Sequence, residues 1–168
     1  MEMRCELYRV GIITASDKGS VGERPDASGE KIRAIVEERG YEVGYYKILP
    51  DEKELLEVAM RELCDENRVD LILTTGGTGF SLRDVTPEAT AAVAQRMVPG
   101  IPEAMRAYSM TITKRAMLSR GVAGIRNRTL IVNLPGSPKA VEESLTYIID
   151  ELRHGLEILK GDTGECAR

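Results

Sequence analysis

The sequence predicts an α/β fold of three layers, with helices on both faces of a mainly parallel sheet. Three observations carry that expectation. Apolar runs near residues 8–15, 69–75 and 129–134 are rich in β-branched side chains and too short for helices. Segments of helical period lie between them. Every unusual loop follows the end of an expected strand, and in a parallel sheet those ends share one edge, where ligands bind.

The elements follow in order along the chain. Tyr8 to Ala15 reads as a buried strand feeding a glycine-rich polar loop, Ser16 to Pro25. A helix then starts near Asp26 or Ser28, places Ile32, Ile35 and Val36 at helical spacing, and stops at Gly40. Tyr41 to Leu49 alternates in part and reads as a second strand, ended by Pro50-Asp51-Glu52. Asp51 is in place to cap the next helix, whose apolar stripe is read as Leu55, Val58, Ala59, Leu63 and Cys64. Val69 to Thr75 is the third strand and runs into Gly76-Gly77-Thr78-Gly79. Thr86 suits an N-cap, Pro87 the first helical turn, and Glu88 the positive end of the helix dipole. After Pro99-Gly100-Ile101-Pro102 a helix is expected through Met105 towards Met117. Thr129 to Leu134 is the fourth strand, closed by Pro135-Gly136-Ser137-Pro138. A last helix buries Val141, Leu145, Ile148, Ile149, Leu152, Leu156 and Leu159, and the polar tail after Lys160 is expected to be loose. With no repeat and no linker, residues 1–168 read as one domain.

Composition narrows the function. Twenty-three basic against 27 acidic residues give a net charge of -4, so no nucleic-acid footprint is expected. One phenylalanine, Phe80, and no tryptophan argue against base-stacking platforms. Cys5, Cys64 and Cys166 are scattered and form no C-x-x-C pair, which fits a reducing compartment and neither a disulfide framework nor a zinc site. Met1 to Arg9 lacks the apolar core of a secretory signal, and no run approaches the roughly 20 apolar residues of a membrane span. The chain therefore reads as cytoplasmic, with no membrane partner. His154, the single histidine, is expected at the surface or in packing, and supports no Ser/His/Asp arrangement.

Six segments hold the candidate chemistry. In Thr74-Thr75-Gly76-Gly77-Thr78-Gly79 the glycines let the backbone approach a ligand, and successive N–H groups can cradle a phosphate. A tight strand-to-helix turn explains the same residues equally well. It is neither a Walker A loop nor a G-x-G-x-x-G fingerprint. Arg83-Asp84 follows: an acid beside a phosphate loop suits Mg²⁺, which takes one or two carboxylates plus phosphate oxygens, while a surface ion pair or a loop cap is the plainer alternative. Asp51, at another strand end, is a possible second carboxylate as well as a cap. Asn133-Leu134-Pro135-Gly136-Ser137-Pro138 offers Ser137 and the Gly136 N–H to an anion at a helix start, or serves simply as a rigid turn. Asp26-Ala27-Ser28-Gly29 presents donors at another helix start, where capping alone also accounts for it. Ser119-Arg120-Gly121 offers a flexible cation for a phosphate or carboxylate, or a solvated arginine.

Taken together, Ser16-Asp17, Asp26-Ala27-Ser28-Gly29, the stretch T-T-G-G-T-G-F-S-L-R-D-V-T-P-E-A-T at 74–90, Pro99-Gly100-Ile101-Pro102-Glu103, Ser119-Arg120 and N-L-P-G-S-P-K-A at 133–140 resemble the MogA/MoaB family. That family includes the gephyrin G domain and its plant counterparts. The matching segments occur in family order over roughly residues 10 to 160. The resemblance implies a molybdopterin-binding fold and a homotrimer. It implies adenylyl transfer in molybdenum cofactor biosynthesis: Mg²⁺ and ATP with molybdopterin give adenylyl-molybdopterin and pyrophosphate. It assigns catalysis and metal to Asp51 and Asp84. Thr75, Gly76, Gly77, Thr78 and Gly79, with Asn133, Pro135, Gly136 and Ser137, are implied to hold phosphate and nucleotide. Ser16, Asp17, Asp26, Ser28, Gly29, Ser119 and Arg120 are further substrate-binding candidates, and other proteins of the cofactor pathway are candidate partners. The chemistry agrees with the residues, because the acceptor phosphate is already ionised at neutral pH and nucleotidyl transfer needs positioning and charge compensation rather than a strong base. Two alternatives stand beside this reading: a non-catalytic trimeric pterin or nucleotide carrier, and a nucleotide pyrophosphohydrolase on the same fold.

Overall fold

The computed structural model describes residues 7–161. Strands β1 (Arg9–Ala15), β3 (Leu71–Thr75) and β6 (Thr129–Leu134) are buried almost throughout. Their unbroken apolar runs are the signature of parallel strands covered on both faces. β2 (Glu42–Leu49) alternates between exposed and covered positions because it is an edge strand. Two short strands, β4 (Arg96–Met97) and β5 (Ala123–Arg126), complete a six-stranded sheet of order β2-β1-β3-β6-β5-β4. β1, β2, β3 and β6 run parallel, while β5 lies antiparallel to both its neighbours. The sequence anticipated four strands. The missing two are too short to show a period, and β5 returns into β6 through Asn127-Arg128, with Asn127 at φ 52°.

Helices α2 (Ala27–Glu38), α5 (Gly100–Met110) and α6 (Pro138–Lys160) cover one face. Helices α3 (Lys53–Asp65) and α4 (Thr86–Val93) cover the other, giving the expected three layers. Each has legible ends. Asp26 accepts the Gly29 N–H at the start of α2 (3.0 Å), and Ser137 accepts the Ala140 N–H at the start of α6 (3.2 Å). α6 stops at Gly161, whose φ of 76° suits a residue without Cβ.

Five local expectations are corrected. The loop after β1 contains a helical turn, α1 (Asp17–Ser20), capped by Ser16. α3 is rotated from the expected stripe: Leu56, Ala59, Met60, Leu63 and Cys64 are buried, while Leu55 and Val58 face solvent. The expected phase would have carried Glu62 inward along the same stripe. Asp51 does not cap α3, and Thr86 lies inside α4 rather than at its cap, where Val85 stands. α5 ends at Met110 instead of continuing towards Met117, because the Thr111 hydroxyl turns back to the Tyr108 carbonyl (2.6 Å) and Thr113 caps a separate 3-10 turn, Lys114–Leu118. Cys64 is a buried free thiol, pushed up to about 11 by burial, whereas Cys5, Cys166 and the tail beyond Gly161 lie outside the described residues. Among the described residues no helix is long and apolar enough to cross a membrane.

The topology fixes where a ligand fits. From β1 the chain leaves through α2 on one face to β2 at the sheet edge. It then returns through α3 on the other face to β3, on the opposite side of β1. The loops after β1 and β3 therefore part to opposite faces and leave a crevice between them, as in other open α/β sheets.

Candidate active site

That crevice is a cavity of about 530 Å³. Its walls come from the ends of β1, β2, β3 and β6, so the four loops singled out in the sequence converge here. Thr75 closes β3 and donates its hydroxyl to the Pro135 carbonyl (2.6 Å), tying the glycine loop to the loop after β6. Ser28, in the first turn of α2, donates to the Gly136 carbonyl (2.7 Å) and ties the third loop to the same point. Three chain segments remote in sequence thus form one rigid wall.

Gly76 and Gly77 make the turn at φ 87° and 70°. A Cβ on Gly76 would overlap the Ala15 carbonyl oxygen. One on Gly77 would overlap the Thr86 hydroxyl and lie 3.2 Å from Asp51 Oδ1. Only glycine fits both the conformation and the space. The Thr86 hydroxyl is buried with no hydrogen-bond partner, and the Thr86 N–H donates to the Gly77 carbonyl (3.1 Å).

Asp51 and Asp84 both line the cavity. Asp51 Oδ2 accepts the Asp17 N–H and Asp17 Oδ1 accepts the Asp51 N–H, each at 3.0 Å, so the loops after β1 and β2 clamp each other reciprocally. Burial pushes the Asp51 carboxyl above the usual range, and the Asp17 and Asp84 charges push the same way. Asp17 moves oppositely: Arg83 donates to both its oxygens (3.0 and 2.8 Å), with a further bond to Glu52 (2.9 Å), and this holds Asp17 below the usual range. Asp84 spends Oδ2 on the Ser81 N–H (3.0 Å). Each of Asp51 and Asp84 keeps one oxygen without a hydrogen bond. Among the described residues no cluster of three or more acidic, cysteine or histidine groups forms a complete protein cage for a metal. Two carboxylates beside a glycine turn suit a hard cation that shares its shell with phosphate and water, as Mg²⁺ does.

At the far wall Asp26 is saturated. It accepts from Gly29 N–H, from the Thr14 hydroxyl (2.7 Å) and from the Tyr46 hydroxyl. Burial, then the bond to Asp26, pushes the Tyr46 phenol well above its ordinary value. Arg33 lies 4.7 Å over the same ring.

The structure sorts the sequence candidates into three groups. Ser16, Asp26, Ser28, Asp51, Thr75, Gly76, Gly77, Asp84, Gly136 and Ser137 line the cavity, with Asp17 and Gly29 directly behind. Ser119, Asn133 and Pro135 line a second cavity of about 230 Å³, between α5, the 3-10 turn and α6. The Asn133 amide is spent internally, on Val122 N–H and the hydroxyls of Thr74 and Thr90 (3.1, 3.0 and 2.9 Å). Thr78, Gly79 and Arg120 stand outside both. Arg120 is no flexible cation: it donates to the carbonyls of Gly79 and Asp84 (2.8 Å each) and pairs with Glu88, stapling the glycine loop to α4. His154 is exposed on α6, 3.6 Å from Glu157 and without a place in either cavity. Sequence reasoning missed Thr14, Arg24, Tyr46 and Arg106. The position of Thr14 at the end of a strand and of Arg24 in the loop that follows could have signalled those two; Tyr46 and Arg106 reach the cavities through tertiary contacts.

Comparison with known proteins gives a consistent answer. The family profile described as "probable molybdopterin binding domain" matches residues 11–154. The chain is 43% identical over 161 residues to a molybdopterin adenylyltransferase of Helicobacter pylori, covering 94% of this chain and 90% of that one. It is 42% identical over 148 residues to the Escherichia coli protein of the same name, covering 84% and 74%. A crystal structure of the molybdopterin biosynthesis enzyme MoaB from Thermus thermophilus superposes with a TM-score of 0.87 at 48% identity, covering 92% of this chain and 98% of that one.

Proposed function

The chain belongs to the molybdopterin-binding domain family, and from that premise we propose that it is a molybdopterin adenylyltransferase of molybdenum cofactor biosynthesis, transferring AMP from Mg-ATP to the molybdopterin phosphate with release of pyrophosphate. One observation carries the reading: two carboxylates, a glycine turn that admits no side chain and the starts of α2 and α6 meet on one cavity.

A phosphate oxygen of the pterin attacks the α-phosphorus of ATP. A new P–O bond forms, the bond to the bridging oxygen breaks, and its electron pair leaves with pyrophosphate. The acceptor is already an anion, so no side chain has to remove a proton. Asp51 and Asp84 would hold Mg²⁺ through their uncommitted oxygens, and when bound it offsets charge at the transferred phosphoryl group. The Gly76-Gly77 turn lets the phosphate approach the backbone. The Thr75–Pro135 and Ser28–Gly136 bonds fix the walls, so the orientation of the reactants is set before they bind. The second cavity shares Pro135 with this wall and is assigned to the pterin, with Ser119 and Arg106 on its lining. The reading includes a homotrimer, supported by a largely apolar groove of about 490 Å³ along α6 where Tyr147 is 53% exposed. Light scattering on the pure protein tests the trimer.

The primary test mixes the protein with molybdopterin, ATP and Mg²⁺ and measures adenylyl-molybdopterin and pyrophosphate, with a metal-free control. Metal-dependent product is expected. Tight pterin binding without product would turn the reading to a carrier, and hydrolysis of a dinucleotide to the pyrophosphohydrolase. Asp51→Asn and Asp84→Asn should fold normally and lower turnover by about 100-fold or more, since a metal's charge compensation contributes several kcal/mol. Full activity in both variants would overturn their assignment.

A further inference from the structure

We propose that Arg24 is the cation that holds the β- and γ-phosphates of the nucleoside triphosphate, an inference that rests on the adenylyl-transfer reading. The charge inventory of the cavity leads to it. Three aspartates, Asp26, Asp51 and Asp84, line the walls, and Arg24 is the one lysine or arginine among the lining residues. A triphosphate entering such a cavity meets net repulsion unless cations answer it.

The other arginines near the glycine loop are committed. Arg83 is held by Asp17 and Glu52, and Arg120 by two carbonyls and Glu88. Arg24 forms no hydrogen bond, ion pair or ring contact with any described residue. Its planar fork is therefore available for bidentate contact with phosphate oxygens.

Its place in the fold selects which phosphates it takes. Arg24 is exposed, on the loop between α1 and α2 at the rim of the cavity. Pro25 follows it and restrains its backbone to extended conformations. The α-phosphate has to lie by the carboxylates that would hold the metal, whereas the leaving pyrophosphate has to pass the rim. As the bond from the α-phosphorus to its bridging oxygen breaks, negative charge collects on the pyrophosphate. Arg24 meets that charge, helped by the positive end of α2, which begins three residues later.

The test compares the native full-length protein with R24Q and R24K, using equilibrium binding of ATP, AMP and inorganic pyrophosphate in the presence of Mg²⁺. R24Q should weaken ATP and pyrophosphate by about 10-fold or more, the size of a charge-assisted hydrogen-bonded contact, and AMP by less than about 3-fold. R24K keeps the charge without the fork and should fall between. The loss should shrink as salt is raised. Unchanged ATP binding by R24Q, with native protein binding ATP, would overturn the inference alone. Equal losses for AMP and ATP would also overturn it, by assigning Arg24 to the nucleoside. A native protein that binds no ATP would overturn the adenylyl-transfer reading, and the inference with it.

Discussion

Replacing Gly77 by alanine tests the glycine turn most directly. At φ 70° an L-residue pays about 1–2 kcal/mol for the left-handed conformation. The new methyl would also overlap the Thr86 hydroxyl and sit 3.3 Å from Thr86 Cβ, in a site where Thr86 is 1% exposed and cannot swing away. Overpacking of this kind costs about 1–3 kcal/mol, so the expected total is about 2–5 kcal/mol, read as a lower urea midpoint with unchanged slope. A double-mutant cycle separates the two parts. Thr86→Ala removes the obstructing hydroxyl, so G77A/T86A should recover about 1–3 kcal/mol relative to the sum of the single variants, leaving the conformational part. The methyl also lies 3.2 Å from Asp51 Oδ1, and T86A does nothing to relieve that crowding, so adenylyl transfer should stay low in the double variant. Gly76→Ala makes the control, because its obstruction is the Ala15 carbonyl, which no side-chain truncation removes. A cost for G77A below about 1 kcal/mol, or full additivity with T86A, would refute the argument.

Two further predictions concern residues that hold the frame of the site. Asn133→Ala should cost about 2–5 kcal/mol, because it strands the Val122 N–H and the Thr74 hydroxyl and removes one of two partners of the Thr90 hydroxyl at a position 1% exposed; urea unfolding checks it. Tyr46→Phe should flatten the alkaline loss of stability. The folded-state pKa of Tyr46 is raised, so its contribution is complete below the ordinary value of about 10 and is lost as pH climbs above that. Urea midpoints from about pH 9 to about pH 11 should fall more steeply for the native protein than for Y46F, and parallel curves would contradict the assignment.

The fold was legible wherever burial on both faces left a largely apolar run, as in β1, β3 and β6, and at the start of α2, where Asp26 stood as a cap; the caps read at Asp51 and Thr86 failed, because each lies one residue from the true N-cap. What escaped was set by tertiary contacts. α3 carries apolar residues on two overlapping stripes, and only the sheet decides that Leu56 and Met60 turn inward in place of Leu55 and Val58. β5 exists because β6 offers it an edge, and β4 because β5 does. In the site, strand-end position sufficed to gather Asp51, Asp84, the glycine pair and Gly136-Ser137 on one cavity. It did not separate side chains that face the cavity from those that hold its frame. Arg120 and Asn133 look like ligands in sequence, and both are spent on loop backbone and buried hydroxyls.

The division of labour among the acids follows from who pairs with whom. Asp17 and Asp51 exchange the same hydrogen bonds, yet Arg83 bonds Asp17 and not Asp51, so one carboxylate of the clamp is neutralised and the other is left half-buried beside Asp84. Burial first, and after it the charges of Asp17 and Asp84, raise the Asp51 carboxyl above the usual range. If Asp51 and Asp84 hold Mg²⁺ as proposed, the ion would offset the repulsion between them and share its charge with the substrate phosphates. The frame keeps that tension in place: Arg83 cannot relax it without abandoning Asp17 and Glu52, and Arg120 cannot without releasing the glycine loop. On the adenylyl-transfer reading, an acidic cavity of this kind should bind the metal–nucleotide complex more tightly than the bare nucleotide, because the complex carries less negative charge.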